Sequence, residues 1–120
     1  MDNPEAEDRA AVDFSRIRET SDGDTDFERE LFGLFLEDCE ERLQRLDDAL
    51  AAGRLSEIHR ESHTIKGSAA NVGTTRLQEI AGRLEVLSDG ASPEGQALAG
   101  EMVTEFARVK ASILTYLEGI

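Results

Sequence analysis

From Thr25 to about Ala52, Phe32, Phe35, Cys39, Leu43, Leu46 and Leu50 recur at steps of three and four, the spacing that lines one face of an α-helix. Leu31, Leu34 and Leu36 widen this stripe near its start, which predicts contacts on two sides there. Thr25 with Glu28 reads as a capping box opening the helix, and Gly53 closes it. A second stripe, Leu55, Ile58, Ser62, Ile65, Ala69 and Val72, predicts a helix from about Leu55 that ends at a left-handed cap on Gly73. Thr75 and Gln78 form another capping-box pattern, ahead of Leu77, Ile80, Ala81, Leu84 and Leu87. "SDGASPEG" breaks the chain, and Ser92 before Pro93 predicts an N-cap with a first-turn proline. The last helix carries Leu98, Met102, Phe106, Val109, Ile113 and Leu117. Ahead of these four, Phe14 and Ile17 in "DFSRIRET" predict a short amphipathic helix that Asp13 can cap.

Short connections make successive helices antiparallel neighbours. The predicted fold is therefore all-α, an antiparallel up-down four-helix bundle with a short additional N-terminal helix. Residues 1–12 have almost nothing to bury and read as a flexible acidic tail, leaving residues 13–120 as the bundle domain. A chain of 120 residues is long enough to close one core without a staple.

Charge narrows the function. The chain carries 26 acidic and 13 basic residues, a net −13, and such a surface repels a phosphate backbone, so no nucleic-acid partner is expected. No run of 18 apolar residues occurs and the N-terminus is acidic where a signal peptide is basic, so no membrane association is expected. The single cysteine, Cys39, lies on an apolar stripe and reads as a small buried hydrophobe, which with the absence of any disulfide fits a cytoplasmic setting.

The chemistry concentrates in "HTIKGSAANVG", residues 63–73. At about 100° per residue, His63 points roughly 140° away from the stripe through Ile58, Ile65 and Ala69, towards solvent. His59, Lys66, Gly67 and Ala70 share its face. Glycine inside a helix costs about 1 kcal/mol against alanine; beside an exposed imidazole it leaves room for another protein to approach. An imidazole with a pKa near 6.5 is largely neutral at pH 7 and keeps one ring nitrogen with a free lone pair. Lys66 can set an ammonium beside an anionic group on that nitrogen. With the turn at Gly73 and Thr74, a residue ten before it sits level with one about eleven after it, which brings His63 level with Glu85. A carboxylate there can accept the proton of one ring nitrogen and aim the other outward.

"HTIKGSAANVG" resembles the signature of histidine-containing phosphotransfer (HPt) domains of bacterial two-component phosphorelays: a histidine, two residues, then lysine, glycine, serine and small residues ending in glycine. The similarity extends through "VDFSRIRE", "LFLEDCEERLQRLDDAL" and "GRLE", from about residue 12 to 117. The resemblance implies that His63 is the phosphoacceptor through its distal nitrogen, Lys66 a stabiliser of the phosphoryl group, Gly67 the gap for docking, Ser68 a packing position and Glu85 the group that orients the imidazole. Ser62 departs from the alanine often found before the histidine, and His59 adds a second imidazole, as a competing acceptor or a rim contact beside Ala70.

The mechanism so implied moves a phosphoryl group between His63 and an aspartate of a response-regulator receiver domain, free or in a hybrid sensor histidine kinase. With one lysine and no acidic cluster at the histidine, no metal or cofactor is expected on this chain, and Mg²⁺ is expected on the receiver. No glycine-rich ATP loop is present, so the expectation is a monomeric phosphocarrier, not an enzyme. Two rivals remain: an adaptor bundle that docks receivers without being phosphorylated, and a bundle in which His59, His63 and Glu85 bind a metal.

Overall fold

The structure, a computed structural model, describes residues 10–120. Five helices follow one another: α1 (Phe14–Ser21), α2 (Thr25–Ala52), α3 (Leu55–Asn71), α4 (Thr75–Glu85) and α5 (Pro93–Glu118). Neighbours in sequence pack together through α2, α3, α4 and α5, and α5 returns against α2, closing a four-helix ring, with α1 laid on α2. Glu28 meets Tyr116 while Glu40 meets Lys110, so α2 and α5 run antiparallel. This is the up-down bundle with a short leading helix that the stripes predict.

The core is assembled from those stripes. Phe32, Leu46, Ile58, Ile65, Leu77, Leu84, Leu98, Met102, Val109 and Ile113 are all buried, and apolar area removed from water at about 25 cal/mol per Å² is what holds the helices together. Cys39 is buried as expected, and burial pushes its thiol up to about 12. The predicted edges of the stripes are less enclosed. Leu36 is buried, but Leu34 is 61% exposed and Leu55 46% exposed. Leu87 falls beyond the end of α4 and only partly packs on the core.

Three local readings are corrected. The cap of α2 is Asp24, whose carboxylate accepts from the Phe27 N–H at 3.0 Å, and Glu28 turns inward instead of back to Thr25. There Glu28 accepts from Ser21 Oγ at 2.5 Å and from the Tyr116 hydroxyl, tying α1, α2 and α5 at one end of the bundle. Phe14 stacks on Tyr116 at a centroid distance of 4.2 Å in the same cluster. The N-cap of α4 is Thr74 and not Thr75; its buried hydroxyl donates to the Ala69 carbonyl at 2.9 Å. Of the expected acidic tail, residues 1–9 lie outside the described residues, while Ala11 and Val12 are buried and the Asp13 N–H donates to the Gly73 carbonyl at 2.9 Å. Those two small apolar residues pack because that hydrogen bond holds the backbone against the α3–α4 turn.

The α3–α4 turn sets the level of everything on the hairpin. Gly73 has φ +73°, its N–H donates to Ala70 O and the Thr74 N–H to Ala69 O, the paired bonds of a Schellman ending. A Cβ at Gly73 would also press on the Asp13 carbonyl at 3.2 Å. At the other end of α4, Ser92 caps α5 by accepting from the Gly95 N–H at 3.2 Å, and backbone meets backbone there. A Cβ on Gly95 would lie 1.8 Å from the Gly90 carbonyl oxygen. Gly95→Ala is therefore expected to lower stability by at least about 1–3 kcal/mol, read as a fall in the urea midpoint; an unchanged midpoint would show that this contact is not close.

Candidate functional site

His63 stands on the exposed side of α3, its side chain 64% accessible. The opposite side of the same two turns is fixed by Ile65 and Ala69, both fully buried, and by Ser62, whose hydroxyl satisfies itself on the Ile58 carbonyl at 2.7 Å. Helix periodicity alone thus holds the ring outward: turning it inward would drag Ile65 into water.

Glu85, the last residue of α4, reaches across the hairpin. One carboxylate oxygen bonds His63 Nδ1 and the other lies 2.6 Å from Lys66 Nζ, with the carboxylate side chain 11% exposed. The Lys66 ammonium and, after it, the His63 ring hold the Glu85 carboxyl below the usual carboxylate range. It is ionised at neutral pH and only accepts. Nδ1 of His63 is therefore the protonated nitrogen, and Nε2, on the far side of the ring, keeps its lone pair in the exposed direction.

The other residues singled out from the sequence fall around this centre. Gly67 is exposed, and beyond its chain neighbours and the backbone of its own helix nothing lies within 4 Å of the place a Cβ would take. Ala70, on the same face, is half-buried; Ser68 is half-buried roughly 140° around the helix from His63. Gly73 makes the turn. His59 is exposed but not isolated: its Nδ1 lies 3.1 Å from the Glu85 backbone carbonyl, which can only accept, so this nitrogen too carries its proton. The two imidazole planes are 8° from parallel with centroids 6.5 Å apart.

Gly82 was missed. A Cβ there would sit 3.4 Å from Lys66 Cδ, so the lysine stem lies along a bare stretch of α4 on its way to Glu85. The signal was available: the register that sets 63 level with 85 also sets 66 level with 82. Glu85 does not serve as a third metal ligand to the histidines, since both its oxygens are taken by Nδ1 and Nζ. Among the described residues no group of three or more His, Cys, Asp or Glu is arranged to hold a metal.

Fold and site together define a helical bundle that presents one imidazole with its inner nitrogen held by a carboxylate and its outer nitrogen open. The chain belongs to the Hpt domain family, whose sequence profile matches residues 30–112. It is also 41% identical over 76 residues to the chemotaxis protein CheA of Klebsiella aerogenes, a match covering 62% of this chain and 12% of that protein. The chain therefore corresponds to a small part of that relative's length. No solved structure matches the chain. Among the described residues no helix is long and apolar enough to cross a membrane.

Because the folded-state pKa of Glu85 is depressed, its pairing stabilises the fold above the ordinary value of about 4.3 and that stability is lost as pH falls through the lowered value. In an NMR titration of the Glu85 carboxyl carbon, the midpoint is expected below the ordinary value and should rise towards it in Lys66→Met. A midpoint at the ordinary value in both proteins would contradict the shared carboxylate.

Proposed function

We propose that this chain is a histidine phosphocarrier that exchanges a phosphoryl group between Nε2 of His63 and the aspartate of a receiver domain in a two-component phosphorelay. The observation that carries the reading is the Glu85 bond to Nδ1: it fixes the tautomer, and so leaves the outward nitrogen with the nucleophilic lone pair. Family membership supports the same chemistry.

In transfer from a receiver, the Nε2 lone pair attacks phosphorus as the bond from phosphorus to the aspartyl oxygen breaks, and the carboxylate leaves with its electron pair. The ring becomes cationic, with its proton retained on Nδ1 against the Glu85 carboxylate. That ion pair exists only after attack begins, so it favours the transition state over the ground state. Lys66 supplies a cation next to the same carboxylate, within the neighbourhood that the phosphoryl oxygens enter. Mg²⁺ and the groups that bind it belong to the receiver, and this chain acts as a carrier with no turnover alone. The reading includes a monomer in the cytoplasm whose partners are receivers, free or in a hybrid sensor histidine kinase.

Open space at Gly67 accounts for access. Incubation with a phosphorylated receiver should label the native chain and leave His63→Gln unlabelled; equal labelling of both would refute the assignment. Glu85→Ala should slow acceptance by about tenfold or more. At Gly67 two effects should separate. Gly67→Ala should raise stability by about 0.5–1 kcal/mol, seen as a higher urea midpoint, whereas Gly67→Arg should stay folded by circular dichroism and lose transfer from the receiver. Full transfer in Gly67→Arg would mean that the partner does not approach over this face.

A further inference from the structure

His59 is the feature that phosphoryl exchange at His63 leaves unexplained. The chain has two histidines, and they stand one helical turn apart on one exposed face of α3. Both commit Nδ1 to Glu85 of α4, His63 to the carboxylate and His59 to the backbone carbonyl. A carboxylate or carbonyl accepting the other ring N–H is the outer shell that metal-ligating histidines ordinarily have, since it fixes the tautomer and raises the basicity of the free nitrogen. The near-parallel rings, 8° apart in plane, therefore direct two unprotonated Nε2 atoms away from α4 together.

We propose that Nε2 of His59 and Nε2 of His63 form a two-point site for a borderline-soft divalent cation such as Zn²⁺, and that its occupation takes up the lone pair with which His63 would accept a phosphoryl group. The second half rests on the phosphocarrier reading above. With metal-to-nitrogen distances of about 2.0–2.1 Å, one ion holds the two nitrogens no more than about 4 Å apart, so both rings must turn out of their parallel arrangement, 6.5 Å between centroids, towards a common point, a side-chain rotation open to two residues one turn apart on an exposed helix face. No third His, Cys, Asp or Glu joins them among the described residues, so water completes the coordination and the metal exchanges. The single cysteine, 1% exposed, does not compete for it. A net charge of −13 raises the local concentration of cations.

Calorimetric titration of the full chain with Zn²⁺ at neutral pH, in a non-chelating buffer, tests the site without any phosphoryl donor. One ion per chain is expected, and since the second imidazole binds as an intramolecular ligand, His59→Gln and His63→Gln should each weaken binding by about 10²-fold. Absence of binding below millimolar Zn²⁺, or affinity unchanged by either substitution, overturns the proposal. Phosphoramidate, a small phosphoryl donor, tests the blocking step. At saturating Zn²⁺ the labelling of the native chain should fall at least tenfold from its metal-free rate, and that of His59→Gln, compared with its own metal-free rate, should not. An equal fall in both, or none in the native chain, overturns the block. Failure of metal-free protein to be labelled overturns it along with the phosphocarrier reading, while the calorimetry independently decides the metal site.

Discussion

One carboxylate shared by a ring nitrogen and an ammonium is the interaction on which the site depends. Glu85 gives one oxygen to His63 Nδ1 and the other to Lys66 Nζ. The two donors lie one turn apart on α3 and the acceptor closes α4, so the contact exists only if the hairpin has the right length. That length is fixed at the turn, where Gly73 takes φ +73° and Thr74 anchors on Ala69. Adding a residue between Gly73 and Glu85 would rotate the carboxylate by about 100° about α4 and move it off both partners. Backbone geometry at a glycine is in this way converted into the protonation pattern of an imidazole some ten residues away.

Among the described residues Glu28, Glu61 and Glu105 are buried, and the contrast with the half-buried Glu85 is instructive. Glu28 is closed off by Ser21 and Tyr116, Glu61 by Arg42 with Arg60 alongside, and Glu105 by Arg108 and Arg76. In each case donors from other parts of the chain satisfy an acceptor that would otherwise be costly to bury. Glu85 is satisfied in the same way, but one of its donors is a ring whose other nitrogen remains exposed. The same physical requirement, that a carboxylate withdrawn from water be hydrogen-bonded, is met around all four, and at Glu85 it also fixes which nitrogen of an exposed ring carries the proton.

Much of this was legible in the sequence because periodicity and turn chemistry are local. The helix boundaries at Gly53, Gly73 and Pro93 and the outward direction of His63 follow from spacing, and the 63–85 pairing follows from counting away from the turn. What was not legible depended on partners far along the chain. Glu28 fits a capping box three residues after Thr25, yet it turns inward because Tyr116, 88 residues away, offers a hydroxyl. Val12 looks like part of a polar tail until the Asp13 N–H is seen to need the Gly73 carbonyl. The bond from His59 to the Glu85 carbonyl was hidden for another reason: a backbone acceptor at a helix end leaves no trace in residue type.

The position of Gly67 brings stability and access into opposition on one helix. Its missing side chain costs about 1 kcal/mol of helix propensity, and no neighbour would obstruct a Cβ there, so nothing inside this fold requires glycine. The helix persists because the cost is met on its other face, where Ile65 and Ala69 are wholly buried; burying a side chain the size of isoleucine is worth about 1.5–3 kcal/mol. Packing strong enough to tolerate the glycine is also what keeps His63 pointing away from the core. The inward face of α3 therefore supports both exposure of the ring and the clearance next to it, and weakening Ile65 would compromise the two together.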